Sequence, residues 1–168
     1  MSRLRPLSLP VVLLACLGGA SSAHGQAVVL EIFKSDVEEM ASFEPTGFAL
    51  ELQGKPFTTL GRVALSLGVR ASFDDGESLW LGAGVLADAQ IGSGPWVVEG
   101  SVMPGYYDPG SSEFDLGSGL EVHSSIGLGY DLNDRSRISL VASHLSNAGT
   151  ADRNPGRNAV ALRLRRGF

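Results

Sequence analysis

Side chains of two kinds alternate in the last segment of this chain, and the alternation limits the possible folds more than any other feature. Over residues 157–168, one face of an extended strand would carry large apolar side chains, Val160, Leu162, Leu164 and Phe168. The opposite face would carry Ala159, Ala161, Arg163 and Arg165, because successive side chains of a strand point to opposite faces. A soluble β-sandwich would rarely place arginines so regularly opposite its core face. A membrane barrel requires this arrangement, with apolar side chains toward lipid and polar ones toward the lumen.

The same two-residue period recurs earlier in the chain. In the third candidate strand an apolar face is formed by Val63, Leu65, Leu67, Val69, Ala71 and Phe73, opposite Arg62, Ala64, Ser66, Gly68 and Arg70. In the sixth, the apolar set is Leu116, Leu120, Val122, Ile126, Leu128 and Tyr130, opposite Gly119, Glu121, His123 and Ser125. The pattern therefore indicates several strands of one kind.

Reading the whole chain for this period predicts eight strands, separated by segments rich in Gly, Asp, Asn and Pro. They fall near residues 27–34, 45–54, 60–73, 77–90, 95–107, 114–131, 135–147 and 157–168. Because unpaired strand edges are too costly in hydrocarbon, such a sheet must close on itself. The predicted fold is all-β, an eight-stranded antiparallel transmembrane β-barrel of the outer-membrane type.

A barrel of eight strands has an interior filled by side chains, without a pore. Charged residues on the predicted inner faces would then pair with one another inside the barrel. The expected network consists of Arg62, Arg70, Glu99, Glu121, Arg163 and Arg165. These residues are expected to support the scaffold and to take no part in chemistry.

The first residues resemble an export signal, with a basic start and an apolar run from Leu7 to Leu17. That run is shorter than the roughly 20 residues that a permanent membrane helix needs. Small residues allow cleavage after Ala23 or after Ala27, and the sequence does not choose between the two. The predicted organisation is a signal peptide over residues 1–23, with cleavage as late as 27, and a barrel domain over residues 28–168.

Composition excludes several classes of function. Cys16 is the only cysteine and lies within the predicted signal, so the mature chain has neither disulfide nor thiol chemistry. The net charge is −5, which gives a nucleic-acid partner no electrostatic support. After the signal no apolar stretch approaches the length of a membrane helix, so insertion into a bilayer would have to use strands.

One stretch has the composition of a catalytic site. His144 and Ser146 lie two residues apart on a predicted strand and so share a face. That face also carries Ile138, Leu140 and Ala142, which makes it the lipid face. Ionisable groups at such a position are costly and indicate function. By spacing alone, an interfacial histidine beside a turn-forming Ser-Asn pair is the competing interpretation.

On the neighbouring last strand, Asn158 falls on the same lipid face as Val160. A histidine, a serine and a third polar residue could thus converge from two adjacent strands. Serine becomes nucleophilic beside a base, and the base benefits from a group that fixes its tautomer. Asn147 or nearby backbone N–H groups could stabilise an oxyanion.

The segment His144-Leu-Ser-Asn-Ala-Gly149, followed by Asn154-Pro-Gly156 and a short strand ending in Phe168, resembles the lipid A 3-O-deacylase (PagL) family of acyloxyacyl hydrolases. Leu116-Gly-Ser-Gly-Leu120 and Ile126-Gly-Leu-Gly129 are similar to the sixth strand of that family. The resemblance covers residues 114–168, and the first half of the chain matches only in pattern.

The resemblance implies a serine esterase of the bacterial outer membrane that removes the 3-O-linked acyl chain of lipid A. His144 matches the general base of the family, Ser146 its nucleophile and Asn147 its proposed oxyanion-hole residue. Lipid A, or lipopolysaccharide, would reach the lipid face by lateral diffusion within the membrane. The resemblance implies no metal and no organic cofactor.

The sequence departs from the family at the acid that orients the histidine, because that position is Asn158 here. Its amide oxygen can accept a hydrogen bond from imidazole, but it carries no negative charge to stabilise an imidazolium. In serine proteases the corresponding Asp-to-Asn change lowers the rate about ten-thousand-fold. Asp152 in the following loop is an alternative partner for His144. Reduced activity or a different substrate is therefore expected.

Two other functions compete with the esterase. A non-catalytic small outer-membrane barrel with a structural or adhesive role would keep the fold and lose the triad. A soluble periplasmic β-sandwich conflicts with the alternation and with Phe168, an aromatic C-terminus of the kind that the barrel assembly machinery reads. The expected partners are lipid A, outer-membrane lipid and that machinery, and the sequence leaves a homodimer open.

Overall fold

The structure is a computed structural model that describes residues 26–36 and 44–168. The predicted export signal over residues 1–23 and the cleavage position after Ala23 lie outside the described residues, whereas Ala27, the other candidate cleavage position, is described. The strands are β1 (Ala27–Asp36), β2 (Thr46–Leu60), β3 (Val63–Asp74), β4 (Leu79–Gln90), β5 (Trp96–Asp108), β6 (Leu120–Asn133), β7 (Ser136–Ser146) and β8 (Arg157–Gly167). A short 3-10 turn, Ser112–Phe114, lies between β5 and β6.

The eight strands form one closed barrel in chain order. Every neighbouring pair is antiparallel, and β1 closes the barrel by pairing with β8 from Ala27 opposite Gly167 to Asp36 opposite Asn158. No described strand is left with an unpaired edge, as a barrel in hydrocarbon requires. The predicted all-β antiparallel barrel of eight strands is confirmed.

The outer wall of the barrel is apolar, and this confirms the predicted faces. Leu67, Leu140 and Leu162 are each about 60 % exposed, at 60 %, 63 % and 59 %. Their immediate neighbours point inward, since Val141 and Ala161 are almost completely buried. Large aliphatic side chains thus cover the outside of the sheet, which is the reverse of a water-soluble barrel and the arrangement that lipid favours.

Charged side chains fill the interior. Arg70 donates hydrogen bonds of 3.0 and 2.6 Å to the two carboxylate oxygens of Glu31. Arg163 contacts the same carboxylate at 2.8 Å and Glu99 at 3.3 Å. Buried charges are stable only when they are paired in this way. The ion network shares the interior with a buried apolar cluster that includes Trp80, Met103 and Tyr107.

The membership of the network differs from the prediction. Arg62 lies exposed in the β2–β3 turn and takes no part in it. Arg165 donates to Gln53 at 2.8 Å, and the carboxylate of Glu121 has no hydrogen-bond partner among the described residues. Glu31 and Glu51, which the alternation does not single out, are central members.

Two strand boundaries also differ from the prediction. β2 continues to Leu60, and its pairing with β3 shifts register near Pro56. β6 begins at Leu120, so residues 115–119 belong to a loop. Leu116 was expected on the lipid face but is fully buried, because the loop folds it back over the end of the barrel.

The two ends of the barrel have connections of different length. At one end the links are short, at residues 61–62, 91–95 and 134–135, whereas the other end carries the link 75–78 and the longer loops 109–119 and 147–156. In outer-membrane barrels the short turns face the periplasm and the long loops face outward. The loop after Ser146 therefore belongs to the outer end.

In the part of the chain that the structure describes, no helix has the length and apolarity that crossing a membrane requires.

Candidate active site

His144 and Asn158 lie directly opposite each other on the outer wall, at the end of the barrel with the long loops. Their Cα atoms are register partners between β7 and β8. On the other side of β7, Ser124 of β6 is the register partner of His144 and donates a hydrogen bond of 3.3 Å from its hydroxyl to the His144 carbonyl oxygen. His144 and Asn158 are both exposed, so the pair opens toward lipid.

The side chains of His144 and Asn158 are joined by a hydrogen bond of 2.8 Å between Nδ1 and Oδ1. An amide oxygen only accepts hydrogen bonds, so Nδ1 carries the proton in this arrangement. The lone pair of the neutral imidazole is then on Nε2, which is the atom a general base needs. Asn158 thus holds the imidazole in one orientation and in one tautomer.

Ser146 is the last residue of β7 and lies two positions beyond His144. Alternation places both residues on the outer face, and the register partner of Ser146 is Val122 of β6. Ser146 is half-buried, whereas Leu145 between them is buried in the barrel. The strand therefore brings a hydroxyl and an imidazole together on the outer wall, as the sequence predicts.

Gly156 lies beside the imidazole of His144. The sequence motif does not reveal that this glycine makes room for the ring. A Cβ atom at this position would lie 2.7 Å from Cε1 and 3.2 Å from Nε2 of His144. The backbone of Gly156 also has a positive φ of 70°, a conformation that residues other than glycine rarely adopt. Glycine at 156 thus leaves the space that the ring occupies.

Asn147 is buried and organises the loop between β7 and β8. Its amide nitrogen donates to the Leu116 carbonyl at 3.1 Å and to the Arg153 carbonyl at 2.7 Å. Its Oδ1 accepts from the backbone N–H of Gly149 at 3.0 Å. Because both amide hydrogens are engaged, the side chain faces the loops and not the lipid surface. Its predicted oxyanion role stays a prediction.

Asp152, the alternative partner of His144, is exposed in the β7–β8 loop. Nδ1 of His144 donates its hydrogen bond to Asn158, so the structure brings His144, Ser146 and Asn158 to one face and leaves Asp152 in the loop. No group of three or more potential metal-ligating side chains occurs among residues 26–36 and 44–168.

Solved structures similar to this chain are membrane barrels. The crystal structure of the outer membrane enzyme PagL has a TM-score of 0.67 and 16 % identity, and the match covers 84 % of this chain and 99 % of that one. A de novo designed transmembrane β-barrel has a TM-score of 0.58 and 9 % identity, covering 88 % and 98 %. Neisserial surface protein A has a TM-score of 0.54 and 8 % identity, covering 85 % and 96 %. These similarities confirm the outer-membrane type of the fold.

Comparison of the sequence with curated proteins found no match. Comparison with models of protein families gives the family. The family model described as Lipid A 3-O-deacylase (PagL) matches residues 52–166, a range that extends well before the segment in which the motifs lie. This match covers more than half of the 168 residues. The chain belongs to the lipid A 3-O-deacylase (PagL) family.

Proposed function

We propose that this protein is an outer-membrane serine esterase that hydrolyses the ester of the 3-O-linked acyl chain of lipid A. The observation that carries the proposal is the 2.8 Å hydrogen bond between His144 and Asn158 on the outer wall, with Ser146 on the same face of β7. Family membership supports lipid A as the substrate. The 3-O position and serine catalysis are the parts that experiment must test.

In the first half of the reaction, the Ser146 Oγ attacks the ester carbonyl carbon while Nε2 of His144 accepts the hydroxyl proton. The proton on Nδ1 stays in its hydrogen bond to Asn158. The tetrahedral intermediate collapses, His144 returns the proton to the departing sugar oxygen, and the acyl chain remains on Ser146. In the second half, His144 accepts a proton from a water molecule that attacks the acyl-enzyme, and it returns this proton to the Ser146 Oγ as the ester bond breaks and the fatty acid leaves.

Stabilisation of the oxyanion falls to groups near Ser146. The Asn147 side chain is committed to the carbonyl oxygens of Leu116 and Arg153, and the backbone N–H groups of Asn147, Gly149 and Thr150 donate to oxygens within the loop. The backbone N–H of Ala148 is therefore the candidate for this role. Ala148 is exposed and has a positive φ of 55°. Such a backbone turns successive peptide groups toward one side, as oxyanion sites require.

The position of the site suits a substrate that stays in the membrane. Below His144 the outer face of β7 carries Ala142, Leu140 and Ile138, and an apolar surface depression lies beside Ile138 along β8 and β1. The acyl chains of a lipid could contact this wall while its sugar lies at the level of Ser146. The long loops place this end of the barrel at the outer leaflet, where lipopolysaccharide resides.

The proposal includes the maturation of the chain. We propose that the signal over residues 1–23 is removed and that Phe168 serves recognition by the barrel assembly machinery. Ala27 is the first residue of β1 and pairs with Gly167. Cleavage after Ala23 would keep this pair, so we favour it over cleavage after Ala27.

Mass spectrometry of lipid A tests the proposal. Cells expressing the wild type should yield lipid A that lacks one hydroxyacyl chain, and cells expressing Ser146→Ala should not. Ser136→Ala, at the opposite end of the same strand, is the matched control and should behave like the wild type. If the wild type is folded in the outer membrane and lipid A is unchanged, the result favours the non-catalytic barrel. The observation that supports this alternative is the uncharged Asn158 at the position of the acid.

A further inference from the structure

A shallow groove lies on the outer wall next to the candidate catalytic residues. Its lining includes Asn158 and Val160 of β8, Ala142 of β7, Lys34 of β1, and Glu44, which precedes β2. The small side chains of β7 and β8 form its floor, while the two charged residues stand at the side away from His144. The groove therefore has an apolar part below the site and a charged part beside it.

Lys34 is a charged residue on an apolar face. The residues that precede it on the outer face of β1 are Leu30 and Ile32, which are 55 % and 45 % exposed. Lys34 pairs in register with Val160, two residues from Asn158. A lysine on a lipid-facing wall extends its ammonium group toward the headgroup level, which is the level of the candidate site.

The Lys34 ammonium contacts the Glu44 carboxylate at 2.5 Å. Both side chains are more than half exposed, at 62 % and 56 %, and an exposed ion pair of this kind contributes little to folding. The pair can therefore exchange its carboxylate for another anion at small cost. The buried ion network of the barrel, in contrast, has no such freedom.

We propose that Lys34 binds a phosphate group of the sugar headgroup of lipid A and that the Glu44 carboxylate occupies the position of this phosphate when no substrate is bound. The inference rests on the proposed function, because it takes the occupant of the groove to be lipid A. β1 is the second strand from β7, and strands lie about 4.8 Å apart, so Lys34 starts about 10 Å from the strand that bears His144. A phosphorylated sugar is wide enough to bridge that distance while its ester reaches Ser146.

Charge complementarity is the reason for this choice of occupant. A phosphate carries more negative charge than a carboxylate and offers three acceptor oxygens, so it competes well for an ammonium group. The acyl chains of the same lipid fit the aliphatic wall below, which Ile32 and Leu162 help to form. Lys34 is thus a specificity-determining residue that selects a phosphorylated substrate and leaves the chemistry to His144 and Ser146.

The first test measures the binding of lipid A to a variant that cannot hydrolyse the ester. We would measure the affinity of detergent-solubilised Ser146→Ala protein for bisphosphorylated lipid A and for the same lipid A after chemical dephosphorylation. Adding Lys34→Gln should weaken binding of the phosphorylated lipid about tenfold, the loss expected for one charge-assisted contact, and should leave the dephosphorylated lipid unaffected. Lys34→Arg should restore the affinity, and Glu44→Gln should raise it two- to threefold.

Arg166→Gln is the matched control, because Arg166 is an exposed cation near the other end of β8. It should leave both affinities unchanged. An equal effect of Lys34→Gln on both lipids, or no effect on either, would overturn the inference. Turnover by the protein with Ser146 intact tests the proposed function separately, so the phosphate site and the esterase can fail independently.

Discussion

At the scale of single residues, the site depends on Asn158 in the place of an acid. Its oxygen lies 2.8 Å from Nδ1 of His144, which fixes the same tautomer that a carboxylate would fix. In the serine protease triad, replacing Asp by Asn costs about ten-thousand-fold, and the wrong tautomer is the cause. Here the amide oxygen of Asn158, and not its nitrogen, faces Nδ1 of His144. This orientation avoids the wrong tautomer, so the missing contribution is the negative charge that stabilises the imidazolium.

Two substitutions of Asn158 distinguish its effect on the orientation of His144 from the effect of the missing negative charge. Asn158→Asp keeps the shape and adds the charge, so we expect kcat on lipid A to rise at least about tenfold. Asn158→Ala removes the hydrogen bond and should lower kcat about a hundredfold. Initial rates on purified lipid A measure both effects, with Ser136→Ala as control. Equal rates for all of these variants would mean that Asn158 has no part in catalysis.

Gly156 gives a second prediction at this scale. A methyl group at 156 would occupy the space of the His144 ring, so Gly156→Ala should displace the imidazole and reduce kcat about a hundredfold. Gly149→Ala is the matched control, because Gly149 also has a positive φ, 76°, but has open space around its Cα. If both variants lose activity equally, backbone strain and not the position of His144 explains the loss.

At the scale of elements, strand faces are predictable and strand ends are not. Alternation predicts the number of strands and places His144, Ser146 and Asn158 on one face, because a strand has only two faces. It fails at Leu116, where the alternating pattern continues into a loop that folds over the barrel end. Asn147 shows the same limit, since nothing local in the sequence indicates that its amide joins two separate loops.

The joint between these two loops can be tested through Asn147. Asn147→Ala removes donors to the carbonyl oxygens of Leu116 and Arg153, at a cost of about 1–3 kcal/mol for the unsatisfied buried groups. We expect faster amide hydrogen exchange over residues 115–119 and 147–156, with the strands unaffected. The exposed Asp152→Asn is the control. Unchanged exchange in Asn147→Ala would show that other contacts hold the loops together.

At the scale of the whole molecule, closure of the barrel decides which charges meet. The sequence indicates that Arg70, Glu99 and Arg163 point inward, but their partners depend on how β8 is staggered against β1. Glu31 receives hydrogen bonds from arginines 39 and 132 residues away. Such pairs cannot be inferred from one strand at a time, which explains why Glu31 and Glu51 escape prediction. Arg62 is wrongly included for another reason, because β3 begins at Val63 and Arg62 lies exposed in the turn before it.

The interior network predicts a large loss of stability on removal of one member. Arg163 is 4 % exposed and contacts Glu31 and Glu99, so Arg163→Met would remove one of the cations that neutralise these buried carboxylates. We expect the free energy of unfolding to fall by about 3–5 kcal/mol, measured by denaturant titration in detergent. Arg166→Met, an exposed change on the same strand, should alter it by less than about 1 kcal/mol. A similar small change for both variants would mean that the network contributes little to stability.

The most direct measurement concerns the nucleophile itself. Folded protein in detergent would be treated with an alkyl fluorophosphonate, which reacts with activated serines, and the adduct would be located by peptide mass spectrometry. We predict one adduct, at Ser146, that is absent in Ser146→Ala and strongly reduced in His144→Ala. An unlabelled wild type, or an adduct on another serine, would contradict an activated Ser146 on the outer wall.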